Sequence, residues 1–165
     1  MSSIRVKAYE WIESEVPAGL EVRQVYGFIF NPDGRILLLE DEGQFNLPGG
    51  KPEDGESFAE TLIREAEEEV QVTIASIEYL GYQRIAVNVE FAQVRLVALV
   101  NEIRQATPDP STGRHYTRLW APPTHSNDLL KWGASGDEQI ASAIAAVSRL
   151  GVSWDGTPLT HIEND

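Results

Sequence analysis

The chain has 165 residues, 42% of them apolar and 24% charged, which suits one domain with a core of its own and would crowd two. It has no cysteine, and this excludes disulfides, thiolate metal sites and cysteine nucleophiles. Acids outnumber bases 26 to 13, and a formal charge of −13 repels polyphosphate backbones at long range, so no long nucleic-acid partner is expected.

Residues 1–21 read as an N-terminal extension or an edge strand, with Pro17-Ala18-Gly19 as a turn signal. Val22 to Phe30 is rich in β-branched and aromatic residues and reads as a strand. Asn31-Pro32-Asp33-Gly34 is a tight-turn sequence, and Arg35 to Leu39 returns as a second strand, so 22–39 predicts a hairpin. Phe45-Asn46-Leu47 is a short extended piece that Pro48-Gly49-Gly50 terminates. Ser57 to about Val70 is the clearest helix. Ser57 and Glu60 form a capping box, and apolar residues recur at 58, 59, 62, 63, 66 and 70. Extended segments follow around 74–82 and 87–103, the second apolar enough at Val94–Val100 for a central strand. A Pro/Ser/Gly loop at 107–113 leads to a short strand, Tyr116–Ala121, which Pro122-Pro123 ends. Residues 128–132 predict one helical turn. Asp137 to Leu150 predicts a second full helix with Ile140, Ile144, Ala145 and Val147 on its buried side. Residues 151–165 read as a loose polar tail. Strands before, between and after two helices place the chain in the α/β (α+β) class, as one domain over 1–165.

No apolar run approaches the ~20 residues that cross a bilayer, and the first ten residues lack the apolar core of a signal segment. The cytoplasm is the expected location, with no membrane partner.

Between Glu53 and Glu69 there are eight acids and one base, Arg64. On a helix advancing about 100° per residue, Ala59, Leu62, Ile63, Ala66 and Val70 share one face. Glu65, Glu68 and Glu69 fall along one edge of that face, while Glu60 and Glu67 fall on the far side, in water. Like charges at i, i+3 and i+4 repel unless something positive sits among them. Oxygen ligands of this kind suit Mg²⁺ or Mn²⁺, which cancels the repulsion and leaves positions for water and a substrate phosphate. Gly49-Gly50 supplies backbone without side chains, and Arg64 has the fork geometry to orient a carboxylate. A solvated acidic face is the plainer reading of most glutamate-rich helices. Against it stands the spacing. Gly50, Glu56, Arg64, Glu65, Glu68 and Glu69 fit G-x5-E-x7-R-E-x-x-E-E, a coincidence on the order of 10⁻⁴ for a chain of this composition.

The segment 50–72 resembles the Nudix box, G-x5-E-x7-R-E-U-x-E-E-x-G-U, where U is a bulky aliphatic residue. Leu47-Pro48-Gly49-Gly50 leads into it as in that family. Two positions depart from the pattern. Ala66 is smaller than the usual aliphatic, and Gln71 stands at the helix exit, where Gly serves a left-handed cap. The resemblance implies an α/β/α sandwich around a mixed sheet. It implies hydrolysis of a diphosphate linked to another moiety, often a nucleoside, in a small phosphorylated substrate. By matched position it implies Glu68 and Glu69 as metal ligands, and Glu65 as a third ligand or the base that activates water. Glu56 would support the loop–helix junction or the metal at one remove, Arg64 would orient a box carboxylate, and the Gly50 or Gly49 carbonyl would touch metal. The catalytic candidates are therefore Glu65, Arg64 and Glu68. The metal candidates are Glu65, Glu68, Glu69 and Gly50, with Mg²⁺ as cofactor and Mn²⁺ as substitute. A catalytically silent binding or regulatory module is the alternative, and the intact Glu65, Glu68 and Glu69 weigh against it. Decapping of long RNA conflicts with the acidic charge. Many relatives dimerise, which leaves a homodimer open.

Outside the box, a further acid is sought among Asp137, Glu138, Glu90 and Glu102. For the first two, stabilisation of a helix N-terminus is at least as good a reading. His115 is a candidate substitute base, for which a lone surface histidine without a special role is the commoner reading. Trp11, Trp120, Trp132, Phe45 and Tyr82 are stacking candidates for which core packing is the commoner role. Arg23 and Lys51 are phosphate-contact candidates for which solvated charge is the commoner role. Nothing downstream of the box specifies the substrate.

Overall fold

The structure, a computed structural model, describes residues 8–163. The expectation about the first ten residues lies, through residue 7, outside the described residues. Along the chain the elements are β1 (Ala8–Ile12), β2 (Val22–Phe30), β3 (Ile36–Asp41), β4 (Gln44–Asn46), β5 (Gly49–Gly50) and α1 (Phe58–Val70). They continue with β6 (Val72–Ala86), β7 (Glu90–Ile103), β8 (Thr117–Ala121), α2 (Pro123–Leu130), α3 (Gly133–Arg149) and β9 (His161–Glu163). Among the described residues the strands form one mixed sheet in the order β1-β6-β7-β2-β3-β8-β9, with β4 on β3 and β5 on β2. Residues 1–21 thus include an edge strand, since β1 pairs only with β6. No helix among these residues is long and apolar enough to cross a membrane.

Alternation along the strands builds two cores. Val25 and Ile29 of β2, Leu37 and Leu39 of β3 and Trp120 of β8 pack on Leu62, Ala66 and Val70 of α1. Their neighbours Phe28, Phe30, Ile36, Leu38, Leu119 and Ala121 pack on Ile140, Ala143, Ala146 and Val147 of α3 and Leu130 of α2. The result is an α/β/α sandwich around a mixed sheet. The helix α1 sits so close to β2 that a Cβ on Gly27 would lie 2.5 Å from Leu62 Cδ2.

The expected 22–39 hairpin is barely one. β2 and β3 share the pair Phe30↔Ile36 and then diverge. β2 runs parallel to β7 from Val22↔Ala92 to Phe30↔Leu99, and β3 pairs with β8 instead. On its other edge β2 meets β5 through Val25↔Gly50 and Tyr26↔Gly49, and Gly27 N–H donates to Pro48 O at 3.0 Å. The turn holds because Asn31 Oδ1 accepts from the N–H groups of Asp33 and Arg35. The wedge opened between β2 and β3 admits the segment that leads into α1.

The helices differ from expectation at their starts. α2 begins at Pro123, not 128, because proline at the first helical position gives up only an N–H that would be unpaired anyway. α3 begins at Gly133, not 137. Asn127 knits the two together, donating from Nδ2 to Gly133 O and Asp137 Oδ1 and accepting at Oδ1 from Trp132 N–H. In α3 the buried stripe is Gly136, Gln139, Ile140, Ala143, Ala146 and Val147, so Ala145 points outward. In α1, Thr61 is buried and Ile63 is 42% exposed. Thr61 tolerates burial because its hydroxyl donates to Glu56 Oε1 or Ser57 O.

The tail is fastened rather than loose. Arg35 donates from Nε to Leu159 O, from Nη1 and Nη2 to Asp155, and from Nη2 to Thr157 O. β9 then adds to the β8 edge.

Candidate active site

The capping box forms as the sequence implies. Glu60 N–H donates to Ser57 Oγ and Ser57 N–H to Glu60 Oε1, both at 3.1 Å. This pins the start of α1 beside the loop 51–56, and Arg64 completes the junction. Its Nε donates to Glu56 Oε2 at 2.7 Å and its Nη2 to Glu56 Oε1 at 3.0 Å. Nη2 also donates to Lys51 O at 3.1 Å, and Nη1 to Glu65 Oε1 at 2.9 Å and Glu68 Oε2 at 3.5 Å. Glu56 further accepts from Glu53 N–H and the Thr61 hydroxyl. The guanidinium, first, and the Glu53 N–H, second, hold the Glu56 carboxyl down at about 2. Glu56 is thus tied into the loop–helix junction.

The other box carboxylates are less well compensated. Glu69 Oε1 accepts from Gly49 N–H at 2.8 Å. Burial nevertheless pushes the Glu69 carboxyl up to about 8, with Glu65, Asp109 and Glu68 adding repulsion. Burial also raises Glu65, although Arg64 opposes it. Two glycines make this crowding feasible. At φ +150 a side chain on Gly49 would strike Val25 O, and a Cβ on Gly50 would stand 2.5 Å from Glu65 Oε1. Only bare backbone lets β5 lie against α1 here.

Asp109 escaped the sequence reading. It comes from the Pro/Ser/Gly loop, is 4% exposed, and acts on Glu65 and Glu69. Its backbone closes a turn, with Asp109 N–H donating to Arg114 O and Gly113 N–H donating to Asp109 O. Its Oδ1 accepts from Ser111 N–H at 2.7 Å. The loop is anchored by Gln71, which keeps the left-handed cap at φ 51. Gln71 O accepts from Arg104 N–H, its Oε1 from Thr107 N–H, and its Nε2 donates to Glu68 O. Beneath it, buried Arg118 of β8 donates from Nη1 to Val70 O and Arg104 O, placing a cation at the α1 C-terminus. The signal in the sequence was Asp-Pro-Ser within a loop long enough to reach back, which by itself is common.

The four acids proposed from sequence lie elsewhere. Asp137 accepts from Asn127, Glu90 pairs with Arg84, Glu102 pairs with Arg104, and Glu138 is an exposed position on α3. Asp109, rather than any of these four, is among the main charges acting on Glu65 and Glu69. His115 is exposed. Trp120 and Tyr82 are core residues, and Trp11 donates toward Glu13 and Ser142. Arg23 pairs with Glu21 and lies 4.4 Å from the Phe91 ring centroid. Phe45, with Tyr26, Asn46, Glu69, Arg114 and Tyr116, lines a cavity of about 360 Å³ beside the box.

Among the described residues no three acidic or histidine side chains are already drawn into a metal-holding arrangement. Arg64 holds Glu65 and Glu68, and Gly49 holds one Glu69 oxygen. The donor set itself fits a hard divalent cation. It is all oxygen, it stands beside bare backbone, and its carboxylates repel one another. A domain model described as the NUDIX domain matches residues 20–142.

The chain belongs to the Nudix family.

Solved structures similar to this Nudix chain include the Bacillus subtilis pyrophosphohydrolase BsRppH, at 20% identity over 60% of this chain and 63% of that one, with a TM-score of 0.54. The MutT protein from Bacillus halodurans is 23% identical over 71% of this chain and 78% of its own, with a TM-score of 0.56. A C. elegans Ap4A hydrolase is 15% identical over 77% and 99%, with a TM-score of 0.60. At these identities the likeness is one of fold. No curated protein matches the chain in sequence. In this Nudix fold the box-like segment spans β5, the loop, α1 and the Gln71 cap.

Proposed function

We propose that this Nudix-type hydrolase is a divalent-cation-dependent pyrophosphohydrolase that cleaves a diphosphate linkage in a small nucleotide or related nucleoside-diphosphate derivative. The observation that carries the reading is the set of mutually repelling carboxylates, Glu65, Glu68, Glu69 and Asp109, around one flank of α1. Glu69 also borders the 360 Å³ cavity. The printed names of similar structures, a pyrophosphohydrolase and an Ap4A hydrolase, favour the same chemistry.

Glu65, Glu68 and Glu69 would hold the cation, with the Gly50 carbonyl beside them and Asp109 lending charge. When bound, Mg²⁺ or Mn²⁺ supplies a neutralising charge to phosphate oxygens and a water of lowered pKa. The residues do the rest. Arg64 orients Glu65 and Glu68 and is itself held by Glu56. Glu65, raised by burial, accepts the proton of the attacking water, and Glu68 helps to place it. Arg114 lies on the rim of the same cavity, paired with Asp41 at 2.7 Å, where a substrate phosphate competes for it. The reading includes a single domain over 1–165 and a cytoplasmic location.

A panel of nucleotides and nucleoside diphosphate derivatives with Mg²⁺ or Mn²⁺, scored for the phosphate product, tests this. Metal-dependent release that Glu69→Gln removes supports it. Binding without turnover across the panel identifies a silent module instead.

A further inference from the structure

A second cavity, about 850 Å³, adjoins the first, and Tyr26 and Asn46 line both. Its floor is the sheet. Gln83↔Gln93 and Ile85↔Phe91 pair across β6 and β7, Tyr9 pairs with Ile85, and Tyr26 with Arg95. Its wall is the α2–α3 junction, Lys131 to Ser135. The volume suits a drug-sized ligand. In a chain of formal charge −13, this cavity is lined by two cations, Arg95 and Lys131, and by no acid.

Arg95 is 1% exposed and has no carboxylate partner among the described residues. Its Cζ lies 5.1 Å from the Tyr26 ring centroid and 4.8 Å from that of Trp132. Among the described residues its Nη1 has no hydrogen-bond partner. A guanidinium can only donate, so every amide that meets it must turn its oxygen inward. Nη2 donates to Gln83 Oε1 at 3.1 Å, which turns the Gln83 N–H groups away from the guanidinium, on a residue of the cavity lining. Nε donates to Gln139 Oε1 at 2.8 Å, and Gln139 Nε2 donates to Ser135 Oγ at 3.0 Å. In that second chain the Ser135 oxygen accepts at one lone pair, and its hydrogen is the part of the hydroxyl that can donate. Gln93 Oε1 accepts from Nη2 too, and one of its two Nε2 hydrogens goes to Gln24 Oε1. One buried cation thereby sets the polarity of the lining. It offers Gln83 N–H, Ser135 O–H and Lys131 N–H as donors.

We infer that this cavity takes the heterocyclic end of the substrate and that Arg95, acting through Gln83 and Ser135, makes it selective for an oxo-bearing edge over an amino-bearing one. The inference rests on the proposed hydrolase reading for what reaches the cavity, and deepens it by naming the class of base. Arg95 is here a positioning residue. Its signature is a ratio between matched ligands, not a loss of affinity for all.

The matched probes are inosine against adenosine and uridine against cytidine, titrated calorimetrically without metal, and the corresponding triphosphates compared by kcat/KM with Mg²⁺. The expected result is a tenfold or greater preference for the oxo member of each pair in both assays. Arg95→Met should bring each ratio within about twofold. Should that variant fail to fold, Gln83→Leu and Ser135→Ala, which remove one donor each, should each lower the inosine preference several-fold. Equal binding within each pair, absence of saturable nucleoside binding, or a preference that survives all these variants overturns the inference. Nucleoside discrimination without any hydrolysis would sink the hydrolase reading alone. Hydrolysis without discrimination would sink this one alone.

Discussion

Arg64 grips Glu56 across two turns of chain with two nearly parallel hydrogen bonds, 2.7 Å from Nε and 3.0 Å from Nη2. The same guanidinium reaches Glu65 and Glu68, so loop and helix share one rigid hub. Arg64→Lys keeps the charge and loses the fork. The expected outcome is a fall in kcat of about 10- to 100-fold, as for other supports of metal ligands, with a lower unfolding midpoint. Steady-state kinetics and denaturant titration of the one variant check both.

Glu69→Gln removes the carboxylate that suffers most from burial. Turnover should drop by at least about 10²-fold, because on the proposed reading a cation ligand is lost rather than merely reoriented. The fold should persist, since the glutamine Oε1 can still accept from Gly49 N–H. Circular dichroism and the nucleotide panel would separate a dead enzyme from an unfolded one.

Stability without metal should peak near pH 4.5–5, from two opposite linkages. The folded Glu69 value of about 8 stands above its ordinary 4.5, so its contribution is full below pH 4.5 and is lost as pH rises through 8. The folded Glu56 value of about 2 stands below 4.5, so its contribution is full above that value and is lost as pH falls through 2. Thermal unfolding in chelator across this range should show a dome. Glu69→Gln should flatten its alkaline limb, and added Mg²⁺ should do the same. A wild-type midpoint that rises from pH 5 to 8 in chelator contradicts this account.

Asp109→Asn preserves the acceptor for Ser111 N–H and deletes a charge that acts on Glu65 and Glu69. Mn²⁺ affinity, read by calorimetry, should weaken about 10- to 100-fold, while the unfolding midpoint in chelator at pH 8 should rise.

Gln71→Gly trades one effect for another. Relief of the left-handed backbone is worth about 1–2 kcal/mol, and the lost side-chain bonds to Glu68 O and Thr107 N–H about 0.5–1.5 kcal/mol each. Stability should stay within about 1 kcal/mol of the parent. The 104–116 loop should loosen, and faster amide exchange at Thr107 is the check.

The helix α1, its cap and the flank carrying Glu65, Glu68 and Glu69 were legible because a helix writes its neighbours into the sequence at fixed spacing. Arg64 and Glu56 were legible for the same reason, one loop away. Asp109 was not, because its approach depends on how Gln71 and Arg118 tether the loop between β7 and β8 against α1. The 22–39 hairpin misled because local turn chemistry was sound while β5 returns to the same edge of β2 and takes the place of β3 beyond Phe30↔Ile36. The early starts of α2 and α3 were hidden by Pro122-Pro123 and by the weakly helical Gly-Ala-Ser-Gly. At α3 the Asn127 bonds to Trp132, Gly133 and Asp137 hold those residues in the helix.

Tyr26 is a party wall: its ring faces the box-side chamber and the Arg95 chamber at once. A substitution there would disturb chemistry and choosiness together. On the proposed reading, a change of base preference has a cleaner route through the corner around Trp132 and Ser135, which lines the Arg95 chamber and not the other.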